Sequence, residues 1–191
     1  MKIFSTFDGQ FQGVFIAKFM HSSFYKTPER YETELDKIQD QLQDPLYVQK
    51  FISSSKSGWK KGNYSKHNLQ NLSFRVLREA ADLFDKLDKL NEKSKCGNCF
   101  EVLFDDFKEL SPREKYDDPG RRKMYSYDFG SLLRMYGVRL GNNSIIVTGA
   151  GIKLVDKMDT QPLLLELKKM DYLIRWLKDN NISTADDLLT I

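Results

Sequence analysis

The sequence predicts an α+β protein: an antiparallel sheet from the C-terminal half packed against helices, with an added N-terminal β-hairpin. Three observations predict it. Apolar residues recur at helical spacing between residues 27 and 93, and again from residue 160. Residues 99–158 read instead as strands punctuated by Gly and Asn turns. Helices followed by a meander of strands pack as α+β layers, with the helices on one sheet face. A single domain over 1–191 is expected, divided into a hairpin (1–26), a helical region (27–93), a sheet (99–158) and C-terminal helices (160–191).

Composition narrows the class. Thirteen Phe, nine Tyr and two Trp argue for a packed core rather than disorder. The net charge of +3 is mildly basic, so any nucleic-acid contact must come from local clustering. No apolar run approaches the ~18–20 residues of a membrane-spanning helix, and the N-terminal MKIFSTFDGQ lacks the apolar core of a signal peptide. With two Cys, both in one CxxC, a disulfide framework is not supported. A cytoplasmic protein without membrane contact is the expectation.

In chain order, Lys2–Phe7 and Gln10–Phe19 are rich in β-formers and flank Asp8-Gly9, a hairpin signal. Gly13 inside the second strand suggests a bulge or a close approach. Thr27-Pro28-Glu29 starts a helix whose face carries Tyr31, Leu35, Ile38 and Leu42. Asp44-Pro45 restarts the pattern, with Tyr47, Val48, Phe51 and Ile52 as a second apolar face. These aromatics read as core.

Ser53–Asn68 reads as a loop carrying Lys56, Lys60, Lys61 and Lys66, with Trp59, Tyr64 and His67 interleaved and no acid. Such a segment can meet phosphates and stack on bases; it can equally be a solvated loop anchored by a buried Trp59. Asn68–Lys93 is a long amphipathic helix with a stripe running from Leu69 through Leu72, Val76, Leu83 and Leu87 to Leu90. Cys96 and Cys99 follow. They form half a zinc knuckle, a redox pair, or a helix cap and turn with two thiols; the turn is the plainest reading because no further Cys exists. A metal shared between two chains also stays open.

Phe100–Phe107 is a predicted strand, and Ser111–Asp128 a polar connection with a turn at Asp118-Pro119-Gly120. Between Arg113 and Arg139 seven basic residues face four acids, a local charge of +3. Tyr116, Tyr125, Tyr127 and Tyr136 sit among them. Leu132–Leu140 and Ser144–Thr148 are strands joined by a Gly141-Asn142-Asn143 turn, with Ile145–Val147 buried on both faces. Gly149-Ala150-Gly151 bends or bulges the chain before Ile152–Val155. Thr160 and Pro162 open a last long helix, Asn180-Asn181 ends it, and Thr184 with an acid three residues on caps a short terminal one.

Leu132–Met158, LLRMYGVRLGNNSIIVTGAGIKLVDKM, resembles the sheet of RelE/ParE-type toxins, notably their phage-derived killer-protein branch. The resemblance rests on Leu133-Arg134, Tyr136, Arg139, Ile145–Val147, Gly149, Gly151 and Lys153. The chain as a whole also resembles a group of bacterial, phage-associated proteins, membership of which implies no activity. The RelE resemblance implies a metal-independent, cofactor-free mRNA endoribonuclease acting on the ribosome and held by an antitoxin protein. In that chemistry a 2′-hydroxyl attacks its own phosphate while basic side chains neutralise the developing charge. The residues implied are Arg134, Tyr136 and Lys153 for catalysis, with Lys60, Lys61, Arg121, Arg122, Lys123 and Arg139 for nucleic-acid contact. Arg134 and Tyr136 share a strand face, whereas Arg139 falls on the other. Two alternatives stand beside the enzyme: a non-catalytic RelE-like module that binds a protein or nucleic acid, and a ParE-like inhibitor of gyrase.

Overall fold

The computed structural model describes residues 1–5, 13–20, 24, 31–60, 64–94, 106–114, 117–126, 130–141, 144–155, 160–188 and 190 of the chain. Among these, six strands form one open sheet: β1 (Lys2–Ser5), β2 (Gly13–Lys18), β3 (Phe107–Glu109), β4 (Gly120–Tyr125), β5 (Leu133–Leu140) and β6 (Ser144–Ile152). Their spatial order is β1-β2-β6-β5-β4-β3. The helices are α1 (Glu34–Gln43), α2 (Pro45–Ser54), α3 (Lys56–Trp59), α4 (Leu69–Ser94), α5 (Gln161–Asp179) and α6 (Ala185–Leu188).

The class is α+β, and β3 to β6 pair antiparallel as expected of the C-terminal half. The sheet as a whole is nevertheless mixed. β1 pairs antiparallel with β2, but β2 joins the rest by lying parallel to β6, Gly13–Ile16 opposite Ser144–Val147. Parallel neighbours need a long crossover, which all the chain between β2 and β6 provides. The Asp8-Gly9 turn lies outside the described residues.

Helices cover both sheet faces, not one. Ile38, Val48, Val76 and Leu83 of α1, α2 and α4 pack with Met135, Ile145 and Val147 in one core. Leu163, Met170, Leu173 and Leu177 of α5 pack with Tyr136, Val138 and Ile146 in a second. Alternation along β5 and β6 produces this: neighbouring residues bury on opposite faces, so each face needs its own cover. The two faces are called here the α4 face and the α5 face.

The predicted element boundaries shift in four places. Thr27-Pro28 lies outside the described residues, and α1 begins at Glu34. Its N-cap is Thr33, which exchanges a capping box with Asp36, so Tyr31 precedes the helix. The Ser53–Asn68 loop is largely structured: its first residues finish α2, Lys56–Trp59 adds one helical turn, and Trp59 is buried with its indole N–H donating to Ile52 O at 2.9 Å. The polar connection contains a whole strand, β4, whose alternate residues bury against β5. Of the predicted strand Phe100–Phe107, residues 100–105 lie outside the described residues; β3, Phe107–Glu109, pairs with β4. The two predicted strands after Asn143 are one, β6. A register shift opposite Tyr136/Gly137 leaves Thr148 as a bulge, and the ladder then continues through Gly149–Gly151.

Three buried acids brace the layers. Glu79 of α4 accepts from the backbone N–H of Leu132 at 2.7 Å and of Leu133 at 2.9 Å, fixing the start of β5 to the helix. Glu34 and Glu166 share Lys169, described below.

Candidate nucleic-acid interface

The register of β3, β4 and β5 sets which side chains share the α5 face. Lys108 is opposite Lys123, which is opposite Tyr136; Tyr125 is opposite Arg134; Arg121 is opposite Val138. Directly paired residues point the same way. One stretch of sheet therefore carries Lys108, Arg121, Lys123 and Arg134 around Tyr125 and Tyr136. Among the described residues of these three strands, that face carries no carboxylate. The sequence predicts it only in part, because Lys108 joins by pairing and not by proximity in the chain.

Lys108 is exposed, while Arg121, Lys123, Tyr125 and Arg134 are half-buried. The Tyr125 ring organises the centre. The Arg134 guanidinium carbon sits 4.9 Å from its centroid and Lys123 Nζ 5.7 Å. The ring's electron-rich face attracts both cations and holds them over it. The Arg134 Nε–H is buried and donates no hydrogen bond among the described residues. Lys123 Nζ donates to Leu110 O at 3.0 Å, and Arg121 pairs with Asp171 of α5 at 3.3 Å.

Tyr136 is fully buried in the core under α5. Burial pushes its phenol well above the ordinary range, an effect that Arg134 beside it only partly offsets. The ring therefore stays protonated and away from solvent. Lys153 follows β6 and extends its ladder, its backbone N–H donating to Leu132 O at 2.6 Å. Alternation from Gly151, which is opposite Arg134, puts Lys153 on the α5 face too.

The other predicted contacts lie elsewhere. Arg122 turns to the α4 face and is buried, donating to Arg121 O at 2.9 Å and Asp117 O at 3.4 Å. Arg139 faces away from Arg134, as alternation predicts, with Nε donating to Gly141 O at 2.9 Å. Lys60 Nζ donates to His67 O at 3.0 Å and Ser65 O at 3.3 Å, closing its own loop. Lys61, Cys96 and Cys99 lie outside the described residues.

One polar cluster escaped the sequence reading. Lys169 Nζ donates to Glu34 Oε2 at 2.9 Å and to Glu166 Oε1 at 2.8 Å, all three side chains being buried. Lys37 Nζ lies 3.6 Å from the same Glu34 oxygen. A signal was present. Glu34 leads Ile38 and Leu42 by four and eight residues, and Glu166 stands in the stripe Leu163, Met170, Leu173, Leu177. Acids in the apolar register of a helix are candidates for buried pairs.

Among the described residues, no helix is long and apolar enough to cross a membrane, and no group of three or more His, Cys, Asp and Glu is placed to hold a metal. Compared with known proteins, the chain matches no family model, no curated protein and no solved structure.

Proposed function

We propose that this protein binds single-stranded RNA through the phosphodiester backbone, on the α5 face of β3, β4 and β5. One observation carries the reading: the strand register gathers Lys108, Arg121, Lys123 and Arg134 on a face to which the described residues of these strands contribute no carboxylate. Cations spaced along paired strands suit successive phosphates, and counterion release supplies sequence-independent affinity. Tyr125 serves that face by holding two of its cations.

Cleavage of ribosome-bound mRNA by a RelE-type toxin, kept silent by an antitoxin, is the second reading. It is favoured by Arg134, Tyr136 and Lys153 falling on one face. The burial and raised pKa of Tyr136 speak against that residue as a base, so binding without cleavage is the better-supported reading.

Fluorescence anisotropy with a labelled RNA strand tests it. Three or four phosphate contacts predict a slope of log K against log salt of about −2 to −3. Lys108→Ala and Arg134→Ala should each lower the slope magnitude and weaken binding, with the RNA recovered intact. Salt-independent binding, or no change in either variant, overturns the reading. RNA cut in a translation reaction, and spared by Arg134→Ala, establishes the toxin instead.

A further inference from the structure

β2 accompanies β6 only as far as Val147; beyond the Thr148 bulge, the β2 side of β6 has no strand partner among the described residues. α1 and α5 close over this fork, and a cavity of about 340 Å³ remains between them. Its polar wall holds Glu34, Lys37 and Glu166, and its apolar wall Tyr31, Tyr47 and Phe51. Apolar and aromatic walls with a few convergent polar groups are the usual make-up of a small-ligand site, and this volume is at the small end of that range. None of the cations on the basic sheet face lines it.

The polar wall is incompletely satisfied. Lys169, behind it, uses one oxygen of each carboxylate. Glu34 Oε1 and Glu166 Oε2 are buried and accept no hydrogen bond among the described residues. Carboxylate oxygens only accept, so the missing partner is a donor. Lys37 Nζ stands 3.6 Å from Glu34 Oε2, which sets a positive group directly beside the acceptors. A ligand matching this wall carries an ammonium and a carboxylate on one carbon.

We propose that the cavity between α1, α5 and the free side of β6 binds a free α-amino acid with an apolar or aromatic side chain. Its ammonium sits against the Glu34 and Glu166 carboxylates, its carboxylate meets Lys37, and its side chain lies against Tyr31, Tyr47 and Phe51. The ligand is neutral overall, as is the cluster of Glu34, Glu166, Lys37 and Lys169 when fully charged. Burial pushes the Glu166 carboxyl up, and an ammonium beside it replaces the stabilisation that water no longer gives.

Calorimetric titration and thermal shift with L-leucine and L-phenylalanine test the site, against 3-methylbutylamine and 4-methylpentanoate as half-ligands. Saturable binding of an amino acid with a raised Tm is expected, each half-ligand being at least about tenfold weaker. Lys37→Met should weaken the amino acid by a similar factor and leave the amine unaffected. Ala150→Leu, which enlarges an apolar side chain on the cavity wall, should abolish binding of both. Absence of saturable binding by either amino acid, an amine that binds as well as leucine, or unchanged affinity in Lys37→Met overturns the proposal. The half-ligand comparison uses the unaltered protein, so it decides the matter even if a variant fails to fold.

Discussion

Lys169 on α5 donates to Glu34 on α1 across 2.9 Å, although 135 residues separate them in the chain. The two helices cover opposite sheet faces, and the bond passes between layers where β2 has left β6. Burial works against the lysine's charge, but Glu166 and Glu34 outweigh it and hold its pKa above the ordinary lysine value.

Lys169→Met strands two carboxylates in the interior. The expected loss is about 3–5 kcal/mol in urea unfolding, since breaking a buried pair leaves an uncompensated charge. Adding Glu34→Gln and Glu166→Gln should recover much of it. The folded pKa is raised, so this stabilisation is complete below the unfolded lysine value of about 10.4 and is lost only as pH rises past it. Lys169 is also the partner that offsets burial at Glu166, whose carboxyl burial already pushes up, so the penalty of Lys169→Met should shrink in acid and grow as pH rises above the ordinary glutamate range.

Gly149→Ala should destabilise, although replacing glycine in a strand ordinarily helps. A Cβ there would lie 1.8 Å from Glu166 Oε2 and 2.7 Å from its Cδ. Glu166 must then leave Lys169, and overpacking of this kind costs about 1–3 kcal/mol. In a double-mutant cycle, Gly149→Ala with Glu166→Ala should lose less than the sum of the single changes.

Tyr136→Phe separates binding from catalysis. The phenol is buried and held protonated through the neutral range, so the variant should keep RNA affinity within about twofold while losing about 1 kcal/mol of stability, the net worth of one hydrogen bond. Loss of RNA binding in Tyr136→Phe with stability unchanged would show that the ring reaches substrate.

Asp187 gives a pH-dependent readout at the other end of the chain. Its Oδ2 accepts from the backbone N–H of Ser183 and of Thr184, each at 2.8 Å, and these bonds hold its pKa below the ordinary aspartate value. Depression of the folded pKa means stabilisation present above the unfolded value of about 3.9 and lost as pH falls through the folded one. Asp187→Asn should speed amide exchange at Ser183 and Thr184 at neutral pH, and the difference should vanish in acid.

The helices were largely legible. α4 and α5 follow from long apolar stripes, α2 from Asp44-Pro45, and the terminal turn from Thr184 with Asp187 three residues on. Helical periodicity is local, and so is capping. The hairpin Leu133–Leu140 with Ser144–Ile152 was legible for the same reason. β4 was not: GRRKMY shows a single large apolar residue, and only pairing with β5 makes its alternation meaningful.

The sequence by itself determined the α+β class, the positions of the long helices and the opposite facing of Arg134 and Arg139. Each depends on spacing within one segment. Only the tertiary structure decided that helices cover both faces, that β2 enters parallel to β6, and that Lys108 joins Lys123 and Arg134 on one face. It also decided that Trp59 and Tyr136 are buried and that Glu34 meets Lys169. The physical reason is common to all of these: they are set by register and packing between segments far apart in the chain, and no local pattern specifies which distant partner a strand or a charge will find.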